Sequence, residues 1–364
     1  MTDTRDNASP ASELDPDGAD RSPVRGVDVG PVGTWLANHI EGAVGPFQFD
    51  FITGGHSNLT YKVTASDGRA MVLRRPPLGA ILASAHDMAR EFKIISGVGK
   101  TTVPVPAALG LCEDETVNGA PFYIMEYVDG VVIADDLVSA ACLPDPATRR
   151  SLSDSAIDVL AALHTADPDT IGLGDLGRKD AYLDRQLKRW VTQWEKAKTR
   201  ELPEMDEAHE LLVTAKPEQR YTGIVHGDYR LGNMLSDPRS GTVKAVLDWE
   251  LCTLGDVLAD VGYILNNWGQ PGEPLPAGAT AYPTTIGGFS TRDELVARYC
   301  GQTGFEVEDV NYYRAFQYWR LAAIVEGVLN RYLKGVMVDD SVDTELYGQQ
   351  VASLVTNALT LLRP

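Results

Sequence analysis

Between Val225 and Glu250 the sequence sets a histidine, two aspartates and an asparagine in an order that suits phosphoryl transfer. His226-Gly227-Asp228-Tyr229-Arg230-Leu231-Gly232-Asn233 reads His-x-Asp-x-x-x-x-Asn, and Asp248-Trp249-Glu250 follows fifteen residues after Asn233. Moving a phosphoryl group to an alcohol needs one carboxylate that orients or deprotonates the attacking hydroxyl. It also needs a second carboxylate and an amide oxygen to hold Mg²⁺ against a triphosphate. Asp228 fits the first role, and Asn233 and Asp248 fit the second. Arg230 stands in the same loop, where it can meet either the transferred group or a neighbouring carboxylate. The bland alternative is a hydrogen-bonded His226/Asp228 core pair and an Asp248 helix cap. It does not explain why all four residues come in this order. A metal hydrolase would want more histidines; the chain has six, and no other lies in this segment.

Such residues need a frame. NMLSD, the turn PRSG and VKAVLDW read as a short hairpin that returns Asp248 to the loop holding Asp228 and Asn233. Upstream, FQFDFITGG, LTYKVTA and AMVLRRP read as three antiparallel strands, with Asp67-Gly68 marking a tight turn. AHDMAREFKIISGV carries apolar residues at helical spacing, and PAALGLCE and PFYIMEYV read as two more strands around Asn118-Gly119. Residues 29–128 are therefore expected to form a small β-rich lobe with one main helix. From residue 129 onward the apolar spacing is helical, as in TRRSLSDSAIDVLAALHTAD and YYRAFQYWRLAAIVEGVLNRYLKG. Thr291 and Glu294 make a capping box before LVARYC. The opening 28 residues, rich in Asp, Ser, Pro and Gly, are expected to be a disordered acidic tail.

These segments resemble the aminoglycoside phosphotransferase and choline kinase group over roughly residues 30–335. HGDYRLGNML is similar to its catalytic loop, and LDWELCTLGDVLADVGY to its metal-binding segment. GGHSNLTYKV, VLRRPP, the VPVP run and PFYIMEYVDG resemble most the bacterial branch associated with acyl-CoA dehydrogenases. The resemblance implies an α+β, bilobal protein-kinase-like fold: a small antiparallel β lobe with one main helix, then a larger, mostly helical lobe. It implies ATP and Mg²⁺ as cofactors, with ATP between the lobes. Gly54, Gly55 and Ser57 would cover the phosphates with backbone N–H groups. Val72 would touch the base. Arg74 would stand where relatives often have lysine, keeping the charge but with a planar grip, and Glu91 would pair with it. Met125 would border the base, with backbone groups of Glu126 and Val128 at its edge. Asp256 and Asp260 would buttress the catalytic loop, and His164 reads as a core histidine.

Hydrophobic residues make up 44% of the 364-residue chain and charged residues 23%, ordinary for a packed protein. The charge is less ordinary: 51 acids against 32 bases, net −19. Nucleic acid is disfavoured as a partner, because it needs a basic stripe. No apolar run reaches membrane-spanning length, and the opening residues lack a signal-peptide core, so a cytoplasmic setting without membrane attachment is expected. The four cysteines are widely spaced and form no CxxC pair. Most of the acid surplus lies after residue 128, so it argues for solubility more than for a cationic substrate. The partners expected are ATP and a hydroxylated small-molecule acceptor. A hydroxyacyl-CoA-like metabolite is favoured over an aminoglycoside, because Arg185, Lys188 and Arg189 cluster beside Trp190. Asp184, Tyr313, Gln317 and Arg320 complete the expected acceptor wall. An antibiotic kinase and a catalytically weak nucleotide-binding protein are the alternatives. Oligomeric state cannot be read from the sequence.

Overall fold

A computed structural model describes residues 24–52, 58–78, 87–275, 281–335 and 343–363. Its elements, in chain order, begin with α1 (Val29–His39), β1 (Gln48–Phe51), β2 (Leu59–Thr64), β3 (Ala70–Arg75), α2 (Met88–Val98), β4 (Ala108–Cys112), α3 (Glu115–Asn118) and β5 (Phe122–Glu126). Then come α4 (Asp136–Cys142), α5 (Pro146–Thr165), α6 (Tyr182–Ala197), α7 (Pro203–Thr214), β6 (Thr222–Val225), β7 (Met234–Ser236), β8 (Val243–Val246) and β9 (Thr253–Asp256). α8 (Leu258–Asn266), α9 (Arg292–Thr303), α10 (Val310–Leu333) and α11 (Thr344–Leu362) close the chain. Two compact units divide it. One runs to Ala89 and takes in Leu109–Glu126; the other comprises Arg90–Ala108 and Tyr127–Pro364.

The first unit is built on a five-stranded sheet in the order β1-β2-β3-β5-β4. Alternation decides its two faces. Tyr61 lies opposite Leu73, and Leu73 opposite Ile124; these residues, with Val63, Met71 and Phe122, point one way. They pack on Val32 and Leu36 of α1, and all are nearly fully buried. α1 was not among the expected elements. Its apolar pair is short and flanked by glycines, a weak signal without the sheet to receive it. The other face carries Val72 opposite Met125, with Arg74 two residues along.

The second unit is mostly helical. α2 belongs to it from Arg90 onward. Arg90 donates to the carbonyls of Cys252 (2.7 Å) and Leu176 (3.3 Å), and Lys93 pairs with Asp175 at 2.6 Å. α10 is the central helix and packs against α8, α11, α6 and α7. It reads as amphipathic in sequence, but thirteen of its residues are buried, including Gln317, Arg320 and Glu326. A helix buried on nearly every side sits inside its unit, so the polar residues among these face packed neighbours. Gly262 of α8 permits the closest approach, since a Cβ there would come within 2.6 Å of the Tyr313 backbone.

Two small ribbons carry the motif residues. β7 and β8 pair antiparallel, Met234 opposite Val246, with a bulge near Ser236. β6 pairs antiparallel with β9, Val225 opposite Thr253 and Thr222 opposite Asp256, so β9 leads into α8 beside the start of β6. That second ribbon was not expected; β9 reads TLGD, too short and too polar to announce a strand. Among the described residues no helix is long and apolar enough to cross a membrane.

Candidate active site

The strand β6 ends at Val225, and the chain turns sharply through His226-Gly227-Asp228. Gly227 has φ +86°, and a Cβ there would meet the Leu251 carbonyl at 2.9 Å, so only glycine fits. Asp260 holds the turn from beneath. Its Oδ2 accepts the His226 N–H at 2.6 Å and its Oδ1 the Gly227 N–H at 2.9 Å. His164 Nε2 lies 3.4 Å from Oδ2, while its Nδ1 meets the Tyr299 hydroxyl at 2.7 Å. Burial works against a charge on Asp260, yet His164 and the Gly227 N–H hold its carboxyl below the usual carboxylate range.

The ring of His226 is structural. Its Nδ1 accepts the Asp228 N–H at 3.2 Å, so Nε2 carries the proton and donates to the Leu247 carbonyl at 3.0 Å. One imidazole therefore ties the Asp228 loop to the residue before Asp248. Tyr229 anchors the loop to α5 through its hydroxyl on the Ala156 carbonyl, 2.7 Å away. Asp256 serves α8: Oδ1 accepts the Leu258 N–H at 3.1 Å and Oδ2 the Tyr313 hydroxyl at 2.7 Å. Burial dominates there and pushes the Asp256 carboxyl up to about 6.

Asp228 and Asn233 are locked to each other. Asn233 Nδ2 donates to Asp228 Oδ2 (2.7 Å) and to the Asp228 carbonyl (2.9 Å). That double donation fixes which end of the amide is nitrogen and leaves its oxygen without a donor among the described residues. The Leu247 N–H donates to the Asn233 carbonyl at 2.8 Å, so the ribbon puts Asp248 one residue from the strand partner of Asn233. Asp248 has φ +66° and ψ +64°, a left-handed conformation that costs a side-chain-bearing residue energy and that Asp tolerates better than most. Asp228 Oδ1 is buried and accepts no hydrogen bond. Arg230 Nε lies 3.4 Å from it, on a side chain that is 40% exposed.

A neighbour that sequence reading missed is Tyr263, on α8. Burial first, and then the negative charge of Asp228, push its hydroxyl well above the ordinary range, so it stays a neutral donor. The Arg320 guanidinium lies 5.9 Å from the Tyr263 ring centroid and 5.5 Å from that of Trp190, which Arg189 approaches at 5.2 Å. Tyr263 stands one helical turn after Asp260, and that spacing was the available signal.

Several residues expected in the acceptor wall do other work. Tyr313 and Gln317 are 2% exposed and Arg320 7%, because α10 is interior. Gln317 donates to the Ala259 carbonyl at 2.8 Å. Arg185 donates to the Arg178 carbonyl at 2.6 Å, and Asp184 pairs with Lys216. In the first unit, Val72 (6% exposed), Arg74 and Met125 (8%) share one sheet face, and Glu126 is exposed at the end of β5. Glu91 is buried in α2, and Val128 is half-buried after β5. Gly54, Gly55 and Ser57 lie outside the described residues.

This loop, ribbon and helix start make up the candidate site, and the comparisons bear on the class of protein that carries it. Residues 49–294 match the model of the phosphotransferase enzyme family, and the chain belongs to that family. It is 37% identical over 302 residues to acyl-CoA dehydrogenase family member 10 of Mus musculus, covering 82% of this chain and 28% of that protein. The chain spans 28–39% of the length of the curated relatives it matches first. A crystal structure from Ralstonia eutropha, provisionally assigned as an aminoglycoside phosphotransferase, is 33% identical with a TM-score of 0.79, covering 92% of this chain and 98% of its own. The macrolide 2'-phosphotransferase MphH of Brachybacterium faecium shares the fold at 16% identity and a TM-score of 0.57, covering 90% and 97%. The fold is α+β and protein-kinase-like.

Proposed function

We propose that the protein moves the γ-phosphoryl group of ATP to a hydroxyl of a small molecule. The observation that carries this reading is the treatment of Asp228. Its backbone and one carboxylate oxygen are fixed, while Oδ1 is left without a hydrogen bond. An oxygen so placed can accept the proton of an attacking alcohol. The acceptor oxygen would bond to the γ-phosphorus, the bond to the β-phosphate bridge would break, and the proton would pass to Asp228 Oδ1. Arg230, exposed and beside Oδ1, would swing toward the transferred group and offset its charge. Arg74 would meet the nucleotide phosphates. Val72, Met125 and the backbone of Glu126 and Val128 would meet the base, with Glu91 supporting the cation.

The donor set at Asn233 and Asp248 is one amide oxygen and one carboxylate. Among the described residues no group of three or more His, Cys, Asp or Glu could hold a metal ion by itself. Two hard oxygen donors suit a Mg²⁺ that arrives with phosphate oxygens and keeps several waters. When bound there, Mg²⁺ would draw negative charge off the phosphates. The acceptor is proposed to be a hydroxylated acyl-CoA. The relative named for acyl-CoA dehydrogenase suggests the class. The exposed Arg189 over the half-buried Trp190 ring suits an anionic acceptor better than a polycation. The cytoplasm, where ATP and CoA esters are plentiful, is the proposed setting.

The test is transfer of labelled γ-phosphate from ATP, with and without Mg²⁺. The acceptor panel holds hydroxyacyl-CoA esters, free hydroxy acids and aminoglycosides. The expected result is a phosphorylated CoA ester formed only with Mg²⁺. Labelling of aminoglycosides alone would establish an antibiotic kinase. Nucleotide binding with no labelled product would establish a binding protein.

A further inference from the structure

Arg320 supports the catalytic loop from outside every sequence motif. It lies in the middle of α10, buried, and makes two hydrogen bonds. Nη2 donates to the Gly227 carbonyl at 3.1 Å and Nη1 to Gln317 Oε1 at 2.9 Å. Its Nε has no partner. No ion pair offsets its charge among the described residues; the rings of Trp190 and Tyr263 do part of that work. Burying a cation this way costs solvation, and an apolar side chain would fill the space without that cost. What the guanidinium adds is a charge-assisted bond to one carbonyl.

That carbonyl belongs to the peptide unit leading into Asp228. The N–H of the same unit donates to His226 Nδ1, and the unit before it is held by Asp260. Gly227 lacks a Cβ and has φ +86°, so its ψ is soft unless bonds fix it. Rotation there would swing the Asp228 carboxylate. Gln317 braces the guanidinium and is itself tied to Ala259, the residue before Asp260. α8 and α10 thus grip both peptide units around Gly227.

We propose that Arg320, braced by Gln317, is a positioning residue: it fixes the Gly227–Asp228 peptide plane and through it the aim of the Asp228 carboxylate. Its effect on rate rests on the phosphoryl transfer proposed above; its effect on the loop does not. The test uses the full chain with Arg320→Met and Arg320→Lys. Two quantities are read: hydrogen exchange at the amides of Gly227–Arg230, and kcat and KM with the best acceptor of the panel. Arg320→Met is expected to speed loop exchange about tenfold and to lower kcat roughly 10- to 100-fold, with KM for ATP within about threefold. Arg320→Lys, which keeps a cationic donor, should restore at least part of both. A packing role alone would lower the thermal midpoint but leave loop exchange and kcat per folded molecule unchanged. Unchanged loop exchange in both variants, or kcat within twofold of wild type, overturns the proposal. If Arg320→Met does not fold, Gln317→Met removes the brace in its place, and an effect on neither loop exchange nor kcat in that variant overturns the proposal. If the wild type labels no acceptor, the functional reading fails, and loop exchange still decides the positioning claim.

Discussion

The Asp228 loop and the helix start beneath it both carry aspartates, and they use them in opposite ways. Asp260 is fully buried and both its oxygens are taken by backbone N–H groups, with His164 beside them. Asp256 likewise gives one oxygen to α8 and one to Tyr313. Asp228 is pinned at one oxygen, while the other accepts no hydrogen bond and has only the exposed Arg230 cation beside it. The difference separates carboxylates that hold the loop from one whose open oxygen suits the proposed transfer. Removing the first kind should damage the fold, and removing the second should damage only the reaction.

The largest effect on stability is expected at Asp260. Asp260→Ala leaves two buried N–H groups and one ring nitrogen of buried His164 unpartnered. It should lower unfolding free energy by about 3–5 kcal/mol in a denaturant titration. A loss below about 1 kcal/mol would erase the contrast with Asp228.

Next comes Asp256, through pH. Its folded pKa of about 6 lies above the ordinary 3.8, so the native state holds its proton more tightly than the unfolded chain. Its contribution is fully present below pH 3.8 and falls as pH rises toward 6. The loss across that window is on the order of 3 kcal/mol. Asp260 has a depressed pKa and contributes the opposite slope, its stabilisation being lost as pH falls below the ordinary carboxylate range. Subtracting an Asp256→Asn titration from the wild type isolates the Asp256 share. A difference that is flat between pH 4 and 6 would contradict the assignment.

The smallest effect belongs to Asp248. Its left-handed backbone is strained for any residue but glycine. Asp248→Gly relieves that backbone by up to about 1 kcal/mol and should lose Mg²⁺-dependent nucleotide binding. A clear drop in stability would show that the side chain holds the ribbon.

Much of this was legible in the sequence. The strands β1 to β3, the β7–β8 hairpin and the His-x-Asp-x-x-x-x-Asn loop follow from local alternation and turn residues. The α10 helix announced its length but not its setting. Gln317 and Arg320 look like surface polar residues until the helices around them are known, and their tie to Gly227 spans 93 positions. The β6–β9 ribbon depends on pairing across about thirty residues, which no local pattern reveals. α7 is different. Pro203 at its start, Glu204 and Asp206 in its first turn, and Met205, Ala208 and Leu212 on one face were signals that could have found it.

The central claim is that Asp228 is the group held ready for the acceptor proton. The direct measurement pairs wild type with Asp228→Asn: ATP affinity in Mg²⁺ and labelled phosphate transfer to the best acceptor. The account predicts unchanged affinity and a fall in transfer of about 10²–10⁴-fold. Equal transfer by the two proteins would contradict it.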